Sequence, residues 1–245
     1  MIKKERFSTF LIALGLINTT VKAADYTTPL SGNSIFLTGA DTVDVSGTSY
    51  AISVTAGGVG LKITGDPVIK YTSATVNSGS GIRGAAGSAL ELGSGTKIQV
   101  KDAAYGIFYS GNASSAGSTL VTGNGINLSF ESQGKSTSSN ASGMYLQSVK
   151  AELSGENSIS TIVKGGRTSA NALVVTESTF KVDKITIHAQ DVGDGADGVS
   201  PLRSVIDLGT GSSITTISTA YESRGVYMGN SSTFTAKELT INSSG

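Results

Sequence analysis

Short runs in which apolar and polar residues alternate, separated by clusters of Gly, Ser and Asn, recur along almost the whole chain. Alternation with period two predicts strands that bury one side. No long window carries apolar residues at three- and four-residue spacing, so no helix is predicted after the first two dozen residues. Seven runs superimpose: Gly60-Leu61-Lys62-Ile63, Ala89-Leu90-Glu91-Leu92, Gly106-Ile107-Phe108-Tyr109, Gly143-Met144-Tyr145-Leu146, Ala172-Leu173-Val174-Val175, Val205-Ile206-Asp207-Leu208 and Gly225-Val226-Tyr227-Met228. Each reads as a usually small residue, an apolar anchor, a variable residue and a usually apolar one.

The repeat extends past the runs. Gly93-Ser94-Gly95, Gly209-Thr210-Gly211 and Gly229-Asn230-Ser231 are turns of equal length leading to Ile98, Ile214 and Phe234, and the segment 178–187 superimposes on 232–241 without gaps. Each unit is therefore strand, turn, strand and often a third strand. Successive anchors lie 29, 17, 37, 29, 33 and 20 residues apart, spacings that suit a solenoid. A parallel β-helix explains why equivalent positions look alike, because like strands stack about 4.8 Å apart into ladders. With about 20 to 25 residues per coil, roughly seven or eight coils are expected between Leu61 and Val226. Residues 24–57 match the repeat less well and are expected to form the N-terminal cap and first coils, with repeats over 58–245.

Residues 1–23 form a processing segment: Lys3, Lys4 and Arg6, then a mostly apolar stretch from Phe7 to Ile17, then Val21-Lys22-Ala23 with small residues at the exit. A cleaved signal peptide is expected, since the apolar stretch is too short for a bilayer, which takes about 20 residues. No transmembrane segment is expected in the mature chain.

Composition narrows the chemistry. The chain has 32 Gly, no Cys and no Trp, so disulfides, thiolate nucleophiles and cysteine metal sites are excluded. A single histidine, His188, rules out a multi-histidine metal site. Eighteen basic residues balance eighteen acidic ones, and the chain without its leader is mildly acidic. No basic surface is expected to neutralise a phosphate backbone, so nucleic acid is not an expected partner.

The leader, the Gly/Ser/Thr/Asn-rich repeats, the absence of Cys, and units such as Ser-Arg-Gly-Val-Tyr-Met-Gly-Asn-Ser-Ser-Thr-Phe at 223–234 followed by Leu-Thr-Ile-Asn-Ser resemble the passenger region of a bacterial autotransporter over about residues 24–245. The resemblance implies a right-handed parallel β-helix, exported and then carried unfolded across the outer membrane by a C-terminal barrel of the same polypeptide. Transport of that kind also accounts for the missing cysteines. The sequence departs from the pattern at its end, Ile241-Asn242-Ser243-Ser244-Gly245, where no barrel strands follow. A fragment or truncated product is the expectation.

Catalytic signatures are sparse. His188 alternates with Ile185 and Ile187 and is expected to face solvent, and no Gly-Asp-Ser-Gly turn accompanies it. Asp41 and Asp44 fall on opposite sides of a strand and make no carboxylate pair. Gly79-Ser80-Gly81-Ile82-Arg83-Gly84 spells a dinucleotide fingerprint but opens no helix. Asn-x-Ser strings at Asn112, Asn127, Asn140, Asn230 and Asn242 follow from composition. In the acidic stretch Asp191, Asp194, Asp197, the segment 193–199 matches the end of a calcium-binding nonapeptide in a single copy, so a solvated loop is expected with calcium as the alternative occupant and no other cofactor.

One surface pattern remains. The variable position after each anchor is Lys62, Glu91, Phe108, Tyr145, Val174, Asp207 and Tyr227, three of them aromatic in a chain with 6% aromatic residues. Aligned on one sheet, Phe108 and Tyr145 would be near neighbours with Tyr227 further along, and the three are candidate ligand-binding residues, against the alternative that they only stack across strands. The expectation is a secreted, non-enzymatic, cell-surface module for adhesion or cell-cell association. Its expected partners are host or bacterial surface glycans or proteins, or further copies of itself. It would be attached to the outer membrane where a barrel follows. A β-helical polysaccharide lyase or hydrolase and a structural stalk stay open as alternatives.

Overall fold

The computed structural model describes residues 23–56, 59–85, 87–111, 120–135, 137 and 139–245; the signal peptide expected over residues 1–23 lies, apart from Ala23, outside them. Among the described residues there are 23 strands and no helix, and so none long and apolar enough to cross a membrane. The strands pair in parallel and wind into a three-faced β-solenoid of about seven turns. In one coil, Leu90–Leu92 lies on the first face, Lys97–Lys101 on the second and Tyr105–Ser110 on the third. Leu120–Asn124 then returns beside Leu90–Leu92. Two long strands, Lys150–Val163 and Thr179–Asp191, pass from the first face to the second without interruption. Residues 24–56 join the same stack, with Thr42–Ser46 on the second face and Tyr50–Val54 on the third.

The anchors do not form a single ladder. Leu61, Leu90 and Ile206 belong to the first face, in the series Ile35, Leu61, Leu90, Val121, Ala151, Phe180, Ile206, Phe234. Ile107, Met144, Leu173 and Val226 belong to the third, in the series Ile52, Ile82, Ile107, Met144, Leu173, Val199, Val226. The short spacings of 17 and 20 residues are steps between faces. A full coil takes 26 to 31 residues along the first-face series, longer than the expected 20 to 25, so fewer coils separate Leu61 from Val226. The second face carries its own ladder, Val43, Ile69, Ile98, Leu128, Ile159, Ile187, Ile214 and Ile241. Branched aliphatic residues suit these positions because they fill the narrow space between parallel strands in few rotamers.

The superimposed segments 178–187 and 232–241 lie two coils apart. Phe180 and Phe234 flank Ile206, and Ile187 and Ile241 flank Ile214. Their leading serines close the corner between the third and first faces. There Ser148, Glu177, Arg203 and Ser231 adopt left-handed backbone. The amide of Val149 donates to Ser178 Oγ at 3.0 Å, Ser178 N to Ser204 Oγ at 3.1 Å, and Ser204 N to Ser232 Oγ at 3.3 Å. Each serine satisfies an amide of the preceding coil that the turn would leave unpaired. Larger core side chains also meet their polar needs: Tyr71 donates to Thr48 O at 2.5 Å, and burial pushes the Tyr109 hydroxyl, bonded to Ser88, up to about 12.

Candidate functional site

The third face differs from the other two in one column of small residues. The position before each third-face anchor is Ala51, Gly81, Gly106, Gly143, Ala172, Gly198 or Gly225. At this column two consecutive residues turn inward, since Gly106 and Ile107 are both buried, as are Gly143 and Met144. A Cβ at Gly143 would come within 2.5 Å of Thr161 Oγ1 on the opposing second face, and one at Gly198 or Gly225 would come closer still to Ile214 or Ile241. Absence of side chains here lets the third face fold in toward the second. A crease results on the outside, running along the rod.

Two columns of outward side chains border the crease. On one side are Tyr105, Ser142, Asn171, Asp197 and Arg224; on the other are Phe108, Tyr145, Val174, Ser200 and Tyr227. Short Val174 and Ser200 between the longer Tyr145 and Tyr227 leave hollows of about 340 and about 500 Å³, which share these four residues. Phe108 and Tyr145, predicted to be neighbours, have ring centroids 5.5 Å apart at 24°. Tyr105 completes a cluster at 4.9 Å from Phe108 and 5.5 Å from Tyr145. Burial, and then the nearby Tyr145 hydroxyl, raise the Tyr105 hydroxyl above its ordinary value. Tyr227 stands apart, 49% exposed, with the Arg224 guanidinium 3.9 Å from its ring centre. Tyr105 was not among the sequence candidates, although it lies three residues before Phe108 and so on the far side of the small-residue column.

Charge in the crease is concentrated at one end and is paired. Arg224 donates Nε to Asp197 Oδ1 at 2.7 Å and Nη2 to Asp197 Oδ2 at 3.0 Å, and Nη1 to Glu222 at 2.9 Å. The bond to Asp197, together with the charge of both carboxylates, holds the guanidinium above its ordinary value despite burial. Asn171 is 7% exposed as a residue, lines the smaller hollow, and its side chain makes no hydrogen bond among the described residues. The Ser200 hydroxyl is buried without a partner.

The acidic stretch separates into three settings. Asp197 belongs to the crease and its guanidinium, Asp194 accepts from Ser169 Oγ at 3.2 Å, and Asp191 is buried at the corner after the second face. Gly193 N donates to Asp191 Oδ1 at 2.9 Å, while Oδ2 has no partner; burial outweighs the backbone bonds and raises this carboxyl above its ordinary value. Among the described residues no group of three His, Cys, Asp or Glu is placed to hold a metal ion. His188 is half-buried in the outward column of the second face, between Ser160 and Thr215. Asp41 is buried near the first corner, where it accepts from Ala24 N, Thr38 N and Thr38 Oγ1, and Asp44 is exposed. No family model, curated protein or solved structure matches the chain.

Proposed function

We propose that the chain is a secreted, non-enzymatic surface module that acts in adhesion or cell-cell association, and that the third-face crease is its binding surface. The observation that carries this reading is the segregation of outward residues: Phe108, Tyr145, Val174 and Tyr227 share one face, while Lys62, Glu91 and Asp207 share another. Exposed rings on a rigid frame offer contact area with little conformational entropy left to lose on binding. The leader, the missing cysteines and the repeat support the passenger region of an autotransporter as the source of such a module. In the enzyme alternative a carboxyl group must be free to move a proton. The crease carboxylate, Asp197, is instead held at both oxygens by Arg224.

Cells displaying the module test the reading. Replacing Phe108, Tyr145 and Tyr227 together by Ser is expected to abolish attachment or clumping, whereas replacing Lys62, Glu91 and Asp207 by Ser leaves it intact. Equal attachment by both variants, with both still folded by circular dichroism, overturns it. Release of reducing or unsaturated sugar ends from a polysaccharide would transfer the site to the enzyme class.

A further inference from the structure

We propose that the crease binds a neutral, linear polysaccharide lying along the axis of the rod. This assignment rests on the third face being the binding surface and names its ligand.

Shape sets the first constraint. The crease is built from the same strand positions in successive coils, so it runs along the stack and continues from Tyr105 to Arg224 over four coil steps, about 19 Å at the spacing of parallel strands. A long, narrow ligand matches this form. An extended peptide is disfavoured because it binds sheets by pairing with a free strand edge, and the backbone groups under the crease are already paired to the coils above and below.

Side-chain chemistry sets the second. Rings at Tyr105, Phe108 and Tyr145 and again at Tyr227 present negative π faces, which attract the weakly positive C–H bonds on one side of a sugar ring. Between them the Asn171 amide, with no hydrogen bond among the described residues, offers two donors and an acceptor to the hollow it lines, and the Ser200 hydroxyl in the same lining is buried without a partner. Buried polar groups in native proteins almost always have a partner, and a row of sugar hydroxyls supplies one that can both donate and accept.

Charge sets the third. Arg224 is bound by Asp197 and Glu222, and Arg83, further down the same face, lies 4.3 Å from the Tyr50 ring centre with its Nε bonded to Ser53. Among the described residues, the two columns from Tyr105 to Ser200 therefore offer no free cation to a sulfated or uronic polymer.

Titration of the purified protein with neutral linear oligosaccharides of increasing length, such as β-glucan, xylan and mannan fragments, tests the assignment by calorimetry and by tyrosine fluorescence, which no Trp obscures. Expected are an affinity that rises with oligosaccharide length, no dependence on salt, and at least a tenfold loss in Tyr227→Ser and in Asn171→Ala. Thr122→Ala, on the first face, is expected to bind as the parent does. Tyr227→Ser opens no core cavity, so it remains informative if Asn171→Ala fails to fold. Lack of binding across the neutral panel, binding confined to heparin or polygalacturonate and lost at high salt, or binding untouched by Tyr227→Ser would each overturn the assignment. If attachment of displaying cells still depends on the ring residues while the neutral panel fails, the binding face stands and only the polysaccharide assignment falls.

Discussion

The first and third faces bury ladders of the same kind and present opposite exteriors. Inside, Leu61 and Leu90 on one match Ile107 and Met144 on the other, all with no exposure. Outside, the first face carries Lys62, Glu91, Thr122, Glu152, Lys181 and Asp207 in register, and the third carries Arg83, Phe108, Tyr145, Val174 and Ser200. Lys62 pairs with Glu91 at 3.0 Å where Phe108 stacks on Tyr145. The residue before the anchor differs as well. On the first face it includes Lys150, Thr179 and Val205, while on the third it is always Gly or Ala. A solenoid strand thus imposes one requirement on its inner residues and leaves the outer column free, and a face can become a groove only where a further column is kept small.

The strongest challenge to the shared core is a charge placed in it. Leu173→Asp is expected to cost several kcal/mol, because the carboxylate would be buried without a partner. Loss of the cooperative transition and of the β spectrum in circular dichroism is the expected result. A folded variant with an unchanged midpoint would mean that the third-face ladder is not core.

Curvature is tested by the column that distinguishes the faces. Gly143→Val would drive its side chain into Thr161 and the Ala172 carbonyl, and overpacking of this kind costs about 1–3 kcal/mol. Thr179→Val, at the matching first-face position and exposed, should stay within about 0.5 kcal/mol. Chemical denaturation measures both. Equal effects would remove the structural reason for the crease.

What could be read in the sequence follows from the same distinction. The class of fold was legible because Leu61, Leu90, Ile107, Met144, Leu173, Ile206 and Val226 do lie in ladders. Their division into two ladders was not, since anchors on both faces obey the same inner pattern, and the coil length was misjudged in consequence. The outer column held the missing information: Lys62, Glu91 and Asp207 against Phe108, Tyr145 and Tyr227. Pairing of Phe108 with Tyr145 was foreseen, but Tyr105 was not, because its approach to them depends on a bend that only the glycine column reveals. The separation of Asp191 from Asp194 and Asp197 was equally hidden. Their spacing is uniform, and what divides them is that Asp191 ends a strand with its side chain inward while Asp197 already lies in the next.

Two buried carboxylates extend the comparison to pH. Asp191 titrates above its ordinary value through burial. It binds a proton more tightly folded than unfolded, so stability falls as pH rises from the unfolded carboxylate value, about 3.9, through the raised folded one. Asp191→Asn should therefore raise the thermal midpoint at neutral pH, with the gain shrinking on acidification. Asp41 has the opposite sign. Burial alone would raise it, but the bonds from Thr38 and Ala24 outweigh that and hold it below its ordinary value. Its contribution is present above about 3.9 and is lost as pH falls through the depressed folded value. Asp41→Asn should lower the midpoint at neutral pH and leave it unchanged in strong acid. Identical pH profiles for the two variants would contradict the assigned environments.

The smallest expected effects compare the two exteriors directly through double-mutant cycles. On the first face Lys62 and Glu91 are both largely exposed, and pairs of that kind couple by about 0.2–1 kcal/mol. The coupling should vanish at high salt, where charges at this distance from bulk water are screened. On the third face the Phe108–Tyr145 stack is half-buried, and aromatic pairs couple by about 0.5–1.5 kcal/mol beyond the area they cover. That coupling should survive high salt because it arises from ring quadrupoles and dispersion rather than from net charge. Measuring both cycles by denaturation at low and high salt separates the cases. If the aromatic coupling also disappears in salt, or if it equals zero, the rings do not pack on one another in solution, and the platform assigned to the crease loses its physical basis.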